Sequence, residues 1–491
     1  MGNRMPKKIT VDKEKYRDKV YACWLGKNLG GTIGGPYEGR RETLNVTGFA
    51  TAKGEPLPND DLDLQLVWLM AVEERGARID QNVLAEYWLT YVTPFWNEYG
   101  ICKNNLASHL LPPLSGEFNN PQYKHSNGAW IRTEIWACLY PGFPALARKY
   151  SFMDACVDHG MGEGTYSAMY VAALESAAFF ESDIKKLVIS SLKYIPENCV
   201  TAKCIKLAVK CYEDGKTAEE TRNAVLEAGE VGGFKWFMAP ANIGYVVIGL
   251  LYGGGDFKKS MLTAVNCGDD TDCTAATVGS ILGIVGGTKI IPADWRAYIG
   301  DRIITKCING HRSEDFPQSC KELTDRVIQA VNKTMNDPLD FDFSFSDRDD
   351  GVDGNVNYKN EFVINKLLQR KPLSFDIPEN NFVKGIVEFD RDPILKKGET
   401  LVFTVRFYSE YLNTQNLECK VVTPDGITAE YNKNVFVQPL DVTEFSKDIL
   451  SDVLTVTLTA TGDPAAQNII VAEITSNGRA HVAAIPITIL G

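Results

Sequence analysis

The stretch "NCGDDTDCTAATVGSILGIVGG", Asn266 to Gly287, sets three carboxylates within four residues and then runs into small and apolar side chains. Asp269, Asp270 and Asp272 repel one another at the entrance of what reads as a buried helix. The same D-D-x-D spacing recurs in "PNDDLDLQLVWLMAV", Pro58 to Val72, with Asp60, Asp61 and Asp63. Asn59, preceded by Pro58, suits a helix N-cap, and acidic residues in a first turn suit the helix dipole. Capping accounts for one carboxylate per cluster, not three. Six carboxylates packed together raise one another's pKa values unless a cation neutralises them. Hard oxygen ligands favour magnesium, manganese or calcium over zinc.

All-helical prenyl-diphosphate synthases also carry two acidic motifs. Theirs is D-D-x-x-D within a helix, whereas here the third Asp falls one residue early and the cluster opens the helix. Neither cluster holds a Lys or Arg to grip diphosphate, so that reading is set aside.

Outward from the clusters, the helix after Asp61 is apolar nearly all round, which marks it as central. The one after Asp272 carries Ala275, Ala276, Gly279, Ser280 and Gly283, small enough for neighbouring backbones to approach closely. Residues 14 to about 335 read as helix after helix, with apolar residues near a 3.6 period broken by Gly, Pro and Asn. Near residue 340 the texture changes. "DPLDFDFSFSDRDDGVDGNVNYKN" reads as linker or surface loops. Short alternating segments follow, "GIVEFD", "TLVFTVRFY", "LECKVVTP", "TAEY", "VLTVTLTATG", "NIIVAEITS" and "HVAAIPITIL", which suggest an immunoglobulin-like β-sandwich. All eight Trp and eleven of twelve Cys precede residue 340. The expected organisation is an all-α domain over residues 1–340, then a linker and all-β sandwich over 341–491.

The 491-residue chain has 44% hydrophobic and 23% charged residues, a globular composition too long for one ordinary domain. Its net charge of -12 argues against nucleic acid and against an anionic membrane surface as partners. No apolar run reaches the roughly 18 residues that span a bilayer. "MGNRMPKKITVDKEKYRDKV" has no apolar signal core, and "MGNRMP" lacks the Ser/Thr of a myristoylation signal. None of the Cys show zinc-type spacing, so they read as reduced core thiols and the expected location is cytoplasmic, or periplasmic or secreted if a leader was removed.

Four blocks resemble the ADP-ribosylglycohydrolase (DraG-like) family over about residues 17 to 305. "GKNLGGTIGGPYEG" looks like its opening Gly-rich segment, and "NDDLDLQL" like its first metal block. "HSNGAWIRTEIW" and "DACVDHGMGEGTYSAMYVAAL" are similar to its Asn-Gly and Thr-His segments. "GDFKKSMLTAVNCGDDTDCTAATVGSILGIVGG" resembles its Gly-Gly-Asp-Thr-Asp-Thr block. The resemblance implies an all-α bundle with a binuclear magnesium centre, and hence a cofactor of one or two Mg²⁺ ions, or Mn²⁺. Carried over, Asp60 and Asp61 match the first metal pair, and Asp270 and Asp272 the second. Asn59 and Cys273 stand where a Ser or Thr and a Thr usually ligate. Leu62 and Gly31 replace a Thr and an Asp. Glu38 matches the glutamate beside the metals, and Asn127, Gly128 and His159 line the substrate cleft.

Three functions follow from the resemblance: removal of ADP-ribose or a related ribosyl group from an acceptor, hydrolysis of another glycoside, or a non-catalytic binding role. In the first two Glu38 handles the proton or activates water, with Asp61 and Asp270 as the flanking catalytic carboxylates. The partner is then a small-molecule or ADP-ribosylated substrate. The series Tyr87, Trp88, Tyr91, Phe95 and Trp96 reads as a core stripe rather than a base-stacking platform. "LYGGGDF" reads as a helix connection, since no strand precedes it.

Overall fold

Small residues decide how the helical part is assembled. The computed structural model describes residues 7–76, 78–231, 233–309, 314–335, 341–352, 370–378, 384–408, 414–438 and 452–491. Helices α1 (Lys13–Gly34), α2 (Asp60–Arg75), α3 (Gln81–Tyr91), α4 (Asn97–Ala107), α5 (Leu114–Glu117), α6 (Glu134–Leu139), α7 (Pro144–His159) and α8 (Glu163–Ala178) come first. They are followed by α9 (Ile184–Ser191), α10 (Val200–Glu213), α11 (Ala218–Gly229), α12 (Ala239–Gly253), α13 (Phe257–Asn266), α14 (Thr271–Gly286), α15 (Ala293–Ile299) and α16 (Cys320–Thr334).

α1 and α14 cross with their backbones in contact. A Cβ on Gly26 would stand 2.1 Å from the Gly279 carbonyl oxygen, and one on Gly279 would stand 2.3 Å from that of Gly26. Gly30 meets Ala276 and Gly283 meets Ala22 in the same way, at 2.2 and 2.3 Å. The small residues of "TDCTAATVGSILG" thus serve packing: each removes a side chain where two main chains must touch. α2 is buried from Asp61 to Val72, as its all-round apolar character required.

Two compact units divide the chain: Met1–Tyr99, Gln122–Ala155 and Met161–Lys359 in one, Gly100–Pro121, Cys156–Gly160 and Asn360–Gly491 in the other. In the first, strands β1 (Lys7–Asp12) and β2 (Phe341–Ser346) pair in parallel. β2 corrects the reading of "DPLDFDFSFS" as linker or loop. Its Phe-Asp-Phe-Ser-Phe alternation is a strand period, and Phe343 is buried. Residues 337–340 and 353–360 of that stretch lie outside the described residues.

In the second unit, β3 (Ser374–Asp376), β4 (Lys384–Phe389), β5 (Thr400–Tyr408), β6 (Gln415–Val422), β7 (Ile427–Tyr431), β8 (Asn434–Val437), β9 (Leu454–Ala460), β10 (Gln467–Ser476) and β11 (Ala483–Leu490) form two antiparallel sheets. Their orders are β11-β10-β6-β8 and β3-β4-β5-β9-β7. Every segment expected to be a strand is one. The sheets share a core that includes Phe403, Leu458, Ile470 and Ile485, and Leu110 and Leu114 join it from the helical text.

Gly279→Ala should destabilise the protein by about 3 kcal/mol or more, because the added carbon meets backbone rather than a mobile side chain. Gly48→Ala, whose Cβ would meet nothing within 4 Å, should change stability by under ~0.5 kcal/mol. Denaturant midpoints of the two variants check the contrast.

Candidate metal centre and cleft

The α1–α14 crossing fixes where both clusters lie. α2 begins at Asp60, capped by Asn59, whose Oδ1 accepts from the Asp61 amide at 2.9 Å. Asp270 is the N-cap residue of α14 but makes no side-chain capping bond, so capping does not explain it. The chain leaving α1 is tied to the same place. Thr271 donates to the Gly34 carbonyl at 2.8 Å, Gly39 N donates to Asp269 O at 2.9 Å, and Asp269 N donates to Arg40 O at 2.7 Å. Glu38 is thereby held beside Asp270 and Asp272. Ligand atoms of Glu38, Asp270 and Asp272 lie within 4.8 Å of one another, and those of Asp61, Asp272 and Cys273 do likewise.

A cavity of about 90 Å³ opens here, with Glu38, Asp60, Glu98, Asp270 and Asp272 in its wall and Asn127, Gly128 and Cys273 alongside. Trp96, Tyr99, Trp236 and Phe237 add aromatic surface to the wall, and among the described residues no Lys or Arg lines it. The expected core stripe therefore splits. Tyr87, Trp88 and Tyr91 are buried in α3, whereas Phe95 and Trp96 follow the helix end and stay exposed. Phe237 holds a left-handed φ of 53°. Its amide donates to Asp269 Oδ1 at 2.8 Å, and its carbonyl accepts from the Asn127 amide at 3.0 Å. A strained non-glycine backbone persists only where its surroundings impose it.

The carboxylates of the site are crowded and mostly buried. Burial pushes the Asp61 and Asp270 carboxyls well above the usual carboxylate range, with Asp272 adding to both. Asp60 is raised by burial and then by Asp272. Glu38 stands at the exposed rim, and the charge of Asp272, followed by burial and Asp60, pushes it up to about 7. Asp270 Oδ1 and Asp272 Oδ1 are buried with no hydrogen-bond partner. Buried carboxylate oxygens are rarely left so, and two of them in one all-oxygen cluster fit a hard divalent cation. Cys273 does not fit one: burial, then Asp270 and Asp61, pushes its thiol well above the ordinary range.

Behind the cluster lies a group that pattern reading missed. Lys27 is fully buried, with Nζ 2.7 Å from Glu134 Oε1 and 3.6 Å from Asp61 Oδ2. Burial opposes its charge, but Glu134 and Asp61 outweigh that and hold it above the lysine range. Gln65 donates to Asp61 O at 2.9 Å and to Glu134 Oε2 at 2.8 Å, and accepts from the Ile135 amide at 2.8 Å. The available signal was a lone Lys and a lone Glu inside helical text of small and apolar residues, "WLGKNLGG" and "TEIWACL".

The third carboxylate of each cluster serves the backbone. Asp63 Oδ2 accepts from the Lys306 and Cys307 amides. Asp269 accepts from Phe237 N, Asn242 Nδ2 and Arg41 Nε. Asn127 donates to Asp270 Oδ2 at 2.7 Å and accepts from Trp130 Nε1 at 2.8 Å, so it aims a carboxylate as well as lining the cavity. His159, in the second unit, is buried with Nδ1 2.9 Å from Asp158 Oδ1.

Comparison with known proteins follows the helical part. The family model for ADP-ribosylglycohydrolase matches residues 12–334. Among solved structures the chain is similar to an ADP-ribosylglycohydrolase-related protein complex at 18% identity, covering 66% of this chain and 100% of that one, with a TM-score of 0.44. A FixG-related protein from Vibrio parahaemolyticus matches at 14% identity over 21% of this chain and 91% of that one, with a TM-score of 0.17. The yeast GGA1 GAE domain matches at 12% identity over 24% and 97%, with a TM-score of 0.16. No curated protein matches the chain. Among the described residues no helix is long and apolar enough to cross a membrane. With both acidic helix entrances inside a family match that spans most of its length, the chain belongs to the ADP-ribosylglycohydrolase family.

Proposed function

We propose that the chain is a divalent-cation-dependent hydrolase that cleaves the glycosidic bond of an ADP-ribosyl or related ribosyl group. One observation carries the reading: Asp270 Oδ1 and Asp272 Oδ1 are buried without partners beside Asp60 and Glu38. Asp60, Asp270 and Asp272 would hold the cation, with Glu38 at the edge of the group. Magnesium suits an all-oxygen set, and manganese shares its geometry. When bound, such a cation orients vicinal hydroxyls and lowers the pKa of a coordinated water.

The chain's own groups supply the rest. Asn127 holds Asp270 in place through its amide at 2.7 Å. The carboxylates in the cavity wall set a negative potential where positive charge develops on the anomeric carbon. With the cation bound, Glu38 is ionised at the rim of the cluster, where it accepts a proton. Glu38 thus carries the proton at the reacting centre. Trp96 and Trp236, exposed at the cavity wall, flank the remainder of the substrate.

A second reading, a glycoside other than ADP-ribose, is favoured by one feature: among the described residues no cation lines the cavity, and the Lys306 ammonium lies over the Trp96 ring at 5.8 Å rather than in the wall. ADP-ribosylated peptides and uncharged ribosides, assayed side by side with Mg²⁺, separate the two. Hydrolysis of neither class, with metal present, would overturn both.

Removal of metal with a chelator should abolish turnover, and Mg²⁺ should restore it. Glu38→Gln should lower kcat by about 100-fold or more, and a variant with full turnover of the confirmed substrate removes Glu38 from the chemistry. Affinity for Mg²⁺ should depend on pH with a fixed sign. The metal-free site keeps a proton on Glu38 below about 7, and cation binding expels it. Calorimetric Kd values should therefore weaken about tenfold on going from pH 8 to pH 6; a pH-independent Kd contradicts the coupling.

A further inference from the structure

The described residues surround space for a cation in two ways: Glu38, Asp270 and Asp272 form one group, and Asp61, Asp272 and Cys273 the other. The two groups differ in what already stands against them. In the first, Asp270 and Asp272 are 5% and 9% exposed and each keeps an Oδ1 without a partner. Asn127 donates to the other oxygen of Asp270 at 2.7 Å, and a neutral amide leaves that charge uncompensated.

In the second, Asp61 Oδ2 also lacks a hydrogen-bond partner, but a protein group stands in front of each Asp61 oxygen. The Lys27 ammonium stands 3.6 Å from Oδ2, and the Cys273 thiol donates to Oδ1 at 3.4 Å. The other residues of that helix entrance offer little. Asn59 turns its Oδ1 to the Asp61 amide at 2.9 Å, Leu62 has no donor atom, and a thiol is a poor ligand for a hard dication. A dication at Asp61 would also sit beside a buried ammonium that Glu134 anchors at 2.7 Å and Thr277 Oγ1 approaches at 3.5 Å. Like charges that close, with both Lys27 and Asp61 fully buried, disfavour each other strongly.

We propose that this chain binds one divalent cation, at Asp270 and Asp272 with Asp60 and Glu38 around it, and that Lys27 takes the electrostatic place of a second cation at Asp61. The inference rests on the cation reading above and narrows it to one ion. Lys27 is a positioning residue in this arrangement. Its charge lets Asp61 stay buried at the start of α2, next to Asp60, without a metal of its own. The lysine is also in place before any ion arrives, so a single ion completes the cluster.

Mn²⁺ titration of the full chain, followed by electron paramagnetic resonance, tests this without reference to activity. The expected result is one equivalent bound and the six-line spectrum of an isolated ion. Asp61→Asn, which leaves Lys27 paired with Glu134, should keep that equivalent with Kd within about threefold, whereas Asp272→Asn should weaken it by about 100-fold. Two bound equivalents, an exchange-coupled spectrum, or an Asp61→Asn loss as large as that of Asp272→Asn would overturn the single-ion arrangement. If the unaltered chain binds no Mn²⁺, the cation reading itself falls, and this inference with it.

Discussion

The crossing of α1 and α14 at main-chain distance is the constraint on which the site depends. Gly26, Gly30, Gly279 and Gly283 leave no space for side chains, so the axes cannot slide or separate without losing contact along much of both helices. Because the approach is that close, the end of α1 and the start of α14 arrive at one point. Thr271 then bonds to Gly34, and residues 39 and 40 pair with Asp269. Glu38 and the Asp270–Asp272 pair meet as a consequence of packing that is chemically neutral in itself.

What the crossing concentrates is negative charge, and the structure answers it in three different ways. Asp269 is satisfied by a backbone amide and side-chain donors, and Asp63 Oδ2 by two backbone amides, while Asp63 Oδ1 has no partner. Asp61 is answered by a buried ammonium. Asp270 and Asp272 keep oxygens that nothing answers. Burying an anion without a partner is costly, so the unanswered pair is where an external cation has the most to contribute. The D-D-x-D repeat looks uniform on paper; its members play separate parts.

That difference also marks the limit of what sequence pattern could convey. Helix entrances, the Asn59 cap, the small-residue face of α14 and the alternating strands from Lys384 onward are local signals, and the structure agrees with each. Partnerships between distant segments leave no local trace. Lys27 reaches Glu134, and Leu110 and Leu114 enter the sandwich core. β2 carries a strand period of its own, but its pairing with the distant β1 does not show in the sequence. Trp96 continues the aromatic run of α3 in the sequence, yet that helix stops at Tyr91 and the indole turns into the cavity wall. The family resemblance brought Asp61 and Asp270 forward as equals, and only their surroundings separate them.

The proposed centre joins two distant acidic helix entrances around one divalent cation. Anomalous diffraction from crystals grown with Mn²⁺ examines it most directly. A single strong peak within bonding distance of Asp270 and Asp272 oxygens, with Asp60 and Glu38 beside it, is the expected result. Fully ordered carboxylates with no anomalous density between them at saturating Mn²⁺ would contradict it.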